Sequence, residues 1–160
     1  MNKLPLEGIR VLDLGQVVAV PFAAQLLAWL GAEVLIVESE ERMTTRILPP
    51  FLDNTPGANR SAGFNTINCN KMSCTVNITR PEGVELVSNL IGLSDVVVEN
   101  YSTGTLDKFK LGYEDARRIK PDIVYLSLTA FGTTGPLKQF VGFHSVINLF
   151  SGLSMVTGYP

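Results

Sequence analysis

Five short runs of aliphatic and β-branched residues, each closed by a turn and most followed by a helical stretch, restrict this chain's fold more than any other feature. They are residues 8–14 (GIRVLDL), 33–38 (EVLIVE), 74–78 (CTVNI), 95–99 (DVVVE) and 122–128 (DIVYLSL). Runs of this kind mark strands buried on both faces. Alternated with helices, they predict an α/β fold with a parallel, doubly wound sheet. Helices are expected over residues 21–31, 81–93, 113–120 and 144–153. Pro21 suits a first helical turn, Gly31 a left-handed stop and Pro81 a helix start. Phe22, Leu26, Leu27, Trp29 and Leu30 leave the first helix almost no polar face, which predicts a well-buried helix. Residues 43–63, rich in Pro, Gly, Asn and Thr without periodicity, predict a long surface loop. Residues 149–159 read as core, and Gly158, Tyr159 and Pro160 as the middle of a chain rather than its end.

Composition narrows the function classes. The chain has 160 residues, 46% of them hydrophobic, and a formal net charge of −2. That apolar content excludes a disordered chain, and the absence of a basic excess argues against nucleic-acid binding through phosphates. Cys69 and Cys74 form no CxxC motif and read as small buried residues; with a single His, no zinc or other metal site is expected. The N-terminus lacks the apolar core of a signal peptide. Residues 17–32 fall short of the roughly 20 apolar residues a bilayer requires and are interrupted by Pro21 and Gln25. A cytoplasmic protein that does not engage membranes is the expectation.

In an open α/β sheet, ligands bind beyond the carboxyl ends of the strands. This directs attention to residues 15–20, 38–46, 79–80, 99–104 and 129–135. None contains GxGxxG or GxxxxGK[ST], so the usual dinucleotide and P-loop fingerprints are absent. Glu38 stands where a ribose-binding acid would; without the glycine loop it reads as a solvated strand end. His144, the single histidine, has no nucleophile motif beside it and reads as a structural or surface residue. Lys108, Lys110, Arg117 and Arg118 read as a solvated helical face that is also able to hold a phosphate. The turn Asn100-Tyr-Ser-Thr-Gly104, an aromatic among small polar residues, suits a flat base and a phosphate. The residues alone thus lead to a nucleotide-like ligand on an α/β domain.

Longer motifs carry more. The segments LEGIRVLDL, PFAAQLLAWLGAEVLIVE, NCNKMSCTVNITRPEG, DVVVENYSTGTLDKFKLGYEDARRIKPDIVYLSLTAFGTTGP and SGLSMVTG resemble, in order and spacing, the class III CoA-transferases, the CaiB/BaiF family. That family includes formyl-CoA transferases and α-methylacyl-CoA racemases. The resemblance implies a Rossmann-like α/β domain, with residues 1–160 as the N-terminal part of the CoA-binding large domain. The small domain and the returning C-terminal segment would lie outside it. It further implies an interlocked homodimer, with acyl-CoA and a carboxylic acid as substrates and no metal. The family's nucleophile is an Asp that forms a mixed anhydride and then an aspartyl-CoA thioester. Its place falls beyond Pro160, so no catalytic residue is expected in this chain apart from His144 as a candidate, and the fragment alone is expected to be inactive.

Transferred position by position, the CoA contacts would be Val18 and Ala19 after the first strand and Ser39 after the second. Val76, Asn77, Ile78, Thr79 and Arg80 would follow the third strand. Asn100, Tyr101, Ser102 and Lys108 would follow the fourth, and Val141, Gly142, Phe143 and His144 would precede the last helix. Several depart from the family pattern. Val18 replaces a Gln found in formyl-CoA transferases, Val20 a Gly, Ser39 a common basic residue, Thr79 a Lys, and His144 an acid. CoA transfer between acids is the expected activity. A racemase or isomerase on the same scaffold, and a non-catalytic CoA-binding subunit, are the alternatives.

Overall fold

The computed structural model describes residues 3–39 and 45–158. Residues 43–44 of the expected loop, with Tyr159 and Pro160, lie outside the described residues. The elements in chain order are β1 (Arg10–Asp13), α1 (Ala19–Trp29), β2 (Glu33–Glu38), α2 (Ala62–Ile67), β3 (Met72–Thr75), α3 (Pro81–Gly92), β4 (Val96–Glu99), α4 (Thr105–Lys108), α5 (Tyr113–Ile119), β5 (Val124–Ser127), α6 (His144–Phe150) and α7 (Leu153–Val156). All strand pairs are parallel, in the order β3-β2-β1-β4-β5. The chain therefore winds outward in one direction from β1 to β3, then crosses back to β4 beside β1. A switch point between β1 and β4 results, the Rossmann-like arrangement.

Strand alternation divides the core into two layers. Leu12 and Val97 pack on one face with Val87, Ile91, Leu111 and Ala116 from the α3 and α5 side. Val11, Val34 and Val98 face the other way, onto Val20, Ala24 and Ala28 of α1. Leu12 is fully buried, and truncation of such a side chain to Ala costs about 2–5 kcal/mol.

The structure corrects several expectations. The helix α1 buries Val20, Pro21, Ala24, Gln25 and Ala28, while Phe22, Leu26, Trp29 and Leu30 are exposed. The helix meets the sheet through Val20, Ala24 and Ala28, with Leu27 partly buried against them. Strand β3 starts two residues earlier than its sequence suggests and ends at Thr75. There Asn77 Oδ1 turns back to accept from Thr79 N (2.9 Å) and Thr79 Oγ1 (2.7 Å), a local turn that competes with the sheet ladder. The edge strands β3 and β5 are not covered on both faces. The core-like residues 149–156 are largely exposed, with Met155 at 87%, and Gly152 in the left-handed region (φ 75°) divides the expected last helix in two. Within the expected loop, Ser61 caps α2 by accepting from Phe64 N (3.3 Å). Among the described residues, no helix is long and apolar enough to cross a membrane.

Candidate functional site at the strand ends

A cleft opens over the carboxyl ends of β1, β2 and β3, enclosing about 830 Å³ including its mouth. Leu14, Gly15, Gln16 and Val17 form one wall, Val37, Glu38 and Ser39 the next, and Val76, Asn77, Ile78 and Thr79 a third. Tyr101 closes it from the turn after β4, and Leu106, Phe109 and Leu111 give it an apolar lining. A second hollow lies between the ends of β4 and β5, lined by Glu99, Ser102, Thr105, Asp107, Tyr125 and Ser127 among others.

Close approaches shape these walls. A Cβ on Gly83 would stand 2.0 Å from Asn77 O, so only glycine lets α3 seat against the third wall. A Cβ on Gly15 would lie 2.3 Å from Val20 Cγ1.

Among the described residues, two buried carboxylates, Asp13 and Glu99, and the partly buried Glu38 sit at the strand ends. Asp13 accepts from Gly15 N (2.8 Å) and pairs with Lys71 Nζ (2.8 Å); both side chains are essentially inaccessible. The ammonium also donates to Pro21 O (2.6 Å) and Asn68 Oδ1 (2.9 Å), which satisfies its three hydrogens. Burial pushes Asp13 up and Lys71 down, and each partner's charge opposes the shift of the other. Glu38 forms a two-pronged pair with Arg46 (2.6 Å at each oxygen) and accepts from Ser73 Oγ (2.5 Å). Burial raises its pKa, but hydrogen bonds from Arg46 and Ser73 and the charges of Arg46 and Lys71 outweigh burial and hold it below the usual range. Arg46 also stacks 3.5 Å over the Phe64 ring. Glu99 Oε2 accepts from Tyr101 N (2.7 Å), and burial raises the pKa of its carboxyl against a hydrogen bond from Ser127. Burial also raises Tyr125, helped by Glu99, Asp107 and Asp115. Cys74 is raised by burial and by Glu38, so its thiol is no activated nucleophile.

Over residues 6–160 the sequence matches CoA-transferase family III. The chain belongs to that family. It is 40% identical over 162 residues to a succinate–glutarate CoA-transferase of Agrobacterium fabrum, covering 99% of this chain and 40% of that protein. It is 44% identical over 156 residues to the succinyl-CoA:glutarate CoA-transferase of Mus musculus, covering 96% and 35%. With the formyl-CoA:oxalate CoA-transferase of Streptomyces coelicolor it shares 39% over 159 residues, covering 99% and 38%. The structure superimposes on a CaiB/BaiF family protein from Brucella suis with a TM-score of 0.91 at 40% identity, over 99% of this chain and 42% of that one. The chain thus spans about 40% of the length of the curated relatives it matches.

The residues transferred from the family fall in several places around the strand ends. Ser39, Val76, Asn77, Ile78, Thr79 and Tyr101 line the cleft together. Arg80 is exposed beside them as the residue before α3. Val18 and Ala19 are exposed where α1 begins, next to Val17 of the wall. Ser102 lines the second hollow instead. Lys108 is exposed at the end of α4. Val141, Gly142, Phe143 and His144 are in neither lining; Gly142 packs on Ala130 and Phe131, and His144 Nε2 lies 3.1 Å from Asn148 Nδ2 on its own helix. Asn100 sits beside the cleft with its amide bonded to Gln16.

Glu38 is not a solvated strand end, because Arg46 occupies its carboxylate and both side chains are 12% exposed. Cys69 is exposed rather than buried; Cys74 is half-buried. Lys71 and Arg46 escaped the sequence reading. The only signal for Lys71 was its place in the NCNK segment, and for Arg46 nothing distinguished it from the surrounding polar loop.

Proposed function

We propose that residues 1–160 are the N-terminal part of the CoA-binding, Rossmann-like large domain of an enzyme that transfers CoA between an acyl-CoA and a carboxylic acid. The observation that carries this reading is the convergence of four strand-end loops on one cleft at the switch point of a family III fold. In it, the apolar lining and Tyr101 take the adenine, while the exposed cations Arg80 and Lys108 take phosphates. An aspartate outside residues 1–160 supplies the nucleophile. Its carboxylate oxygen attacks the thioester carbonyl, the C–S bond breaks, and CoA leaves as the thiolate with a mixed anhydride behind it. The thiolate then attacks the aspartyl carbonyl, releasing the donor acid and leaving an aspartyl-CoA thioester. The acceptor acid reverses the sequence and departs as the new acyl-CoA. The work of this domain is to hold the CoA so that its sulfur stays in place between those attacks.

The exposed apolar face of α1, with Trp29 at 54% and Leu30 at 46%, supports an interlocked homodimer in which further polypeptide covers it. A cytoplasmic location without a metal completes the reading. The relatives' names make succinyl-CoA with glutarate, and formyl-CoA with oxalate, the first pairs to assay.

The test uses the whole protein, with CoA titrated by calorimetry and label exchange followed between acyl-CoA and free acid. Binding plus exchange is expected. Losing one charge-assisted phosphate contact in Arg80→Ala or Lys108→Ala should weaken CoA binding about tenfold, the lower end of the usual range for exposed cations. Loss of the acyl α-proton without exchange would assign a racemase, and binding without either reaction a CoA-binding subunit.

A further inference from the structure

We propose that Asn100 is a positioning residue, which shapes the cleft by holding the turn after β1 in a strained conformation rather than by touching the ligand. The inference rests on the CoA-binding reading above. Asn100 Oδ1 accepts from Gln16 N (2.7 Å), and Asn100 Nδ2 donates to Gln16 O (2.8 Å). Both ends of its amide are therefore committed to one residue 84 positions earlier. Asp13 holds the preceding Gly15 N–H (2.8 Å), so the peptide groups on either side of Gln16 and the one before them are each fixed by a side chain.

The residue that follows these fixed groups is Val17, at φ 62°. A β-branched residue in the left-handed region is a genuine outlier, because its side chain crowds the backbone there. Such strain persists only where the surroundings over-determine it. Val17 lines the cleft, and the next residue, Val18, leads directly into α1. Asn100 thus closes the switch point like a clasp, with β4 supplying the hook and the loop after β1 the eye. Without it, Val17 would relax to negative φ and move the wall.

A double-mutant cycle in the whole protein separates this from direct contact, with CoA affinity measured by calorimetry. Asn100→Ala should weaken CoA about tenfold or more, because binding must then restore a wall shape that the two hydrogen bonds to Gln16 no longer hold. Val17→Gly serves as the reference, since it removes an apolar side chain from the cleft wall while glycine accepts the left-handed conformation freely. The double variant should return to within about threefold of Val17→Gly. If it remains as weak as Asn100→Ala, or if Asn100→Ala binds normally, the proposal is overturned.

The same cycle read by thermal unfolding tests the clasp without any ligand. Val17→Gly should raise Tm when Asn100 is present and lower it in the Asn100→Ala background, where no strain is left to relieve. An equal effect in both backgrounds would refute the clasp. A wild-type protein that fails to bind CoA would refute the functional reading, and with it the positioning role toward CoA, while the Tm cycle still decides whether the clasp exists.

Discussion

Replacing Lys71 by Met should be among the most damaging single changes in this chain, and its cost should depend on pH in a diagnostic way. Among the described residues, Lys71 is the one cation paired with Asp13, in a site where both side chains are almost inaccessible. Removing one partner of a buried pair leaves an uncompensated charge and costs about 3–5 kcal/mol. Asp13 has one escape, which is to bind a proton. For a carboxyl with an unfolded pKa of about 3.9, protonation at pH 7 costs roughly 4 kcal/mol, at about 1.4 kcal/mol per pH unit, and only about 1.5 kcal/mol at pH 5. The two routes cost about the same at neutral pH, so the penalty there should be about 4 kcal/mol, with a further 1 kcal/mol or so for the abandoned Pro21 carbonyl and Asn68 amide oxygen.

The sign follows from linkage. In the variant, the folded state holds a proton on Asp13 that the unfolded chain releases near pH 4. Stability is therefore greatest below that pH and falls as pH rises toward the folded-state pKa. The wild type shares the direction, since burial already raises Asp13, but Lys71 opposes it. Urea unfolding of the whole protein at pH 5, 6 and 7, followed by circular dichroism, measures the difference. Asp13→Asn combined with Lys71→Met should recover much of the loss at pH 7, because no charge is then buried. A penalty below about 1 kcal/mol, or one that does not change between pH 5 and 7, would refute the reasoning.

Two further outcomes are expected. Gly83→Ala forces a Cβ to 2.0 Å from Asn77 O; overpacking of about 1–3 kcal/mol against a helix-propensity gain of about 1 should leave a net loss of up to about 2 kcal/mol in urea, with weaker CoA binding by calorimetry because the third wall moves. Glu38, held below the usual range, contributes stability above its unfolded pKa of about 4.3 that is lost as pH falls through the folded value. Acid unfolding of Glu38→Gln should accordingly be less steep than that of wild type below about pH 4.3, and the two stabilities should converge there.

The sheet was legible because burial on both faces writes itself into composition. Val96, Val97 and Val98, or Val34 to Val37, need no partner to be recognised as central strands. β3 lies at an edge with little burial, so its sequence carried no such mark, and the apolar Val76 and Ile78 drew the expected strand toward the cleft they line. The buried face of α1 is hidden from the sequence for a different reason. Its two faces differ in size rather than polarity, with Ala24 and Ala28 inward and Leu26 and Trp29 outward, and hydrophobicity does not distinguish those. For the site, residue type located the loops but not the pairs within them. Asp13 and Lys71 are 58 residues apart and Asn100 and Gln16 are 84 apart. Only the crossover that places β4 beside β1 brings the latter two together.

The same topology explains why the usual nucleotide fingerprints are missing at a switch point that retains their location. In dinucleotide folds, glycines let the first loop approach a pyrophosphate, and an acid after the second strand holds a ribose. Here Glu38 occupies the acid's position but Arg46 and Ser73 take three of its roughly four acceptor sites, so it offers a sugar hydroxyl little beyond one site on Oε2. The first loop keeps only Gly15, which is needed for packing against Val20. Its unusual backbone at Val17 is imposed by Asn100 instead of being permitted by glycine. A loop bent by side-chain hydrogen bonds has one shape where a glycine loop has several. This chain therefore achieves by cross-linking β1 to β4 what dinucleotide folds achieve by composition, and substitutions at Asn100 should alter the shape of the cleft wall more than the chemistry it presents.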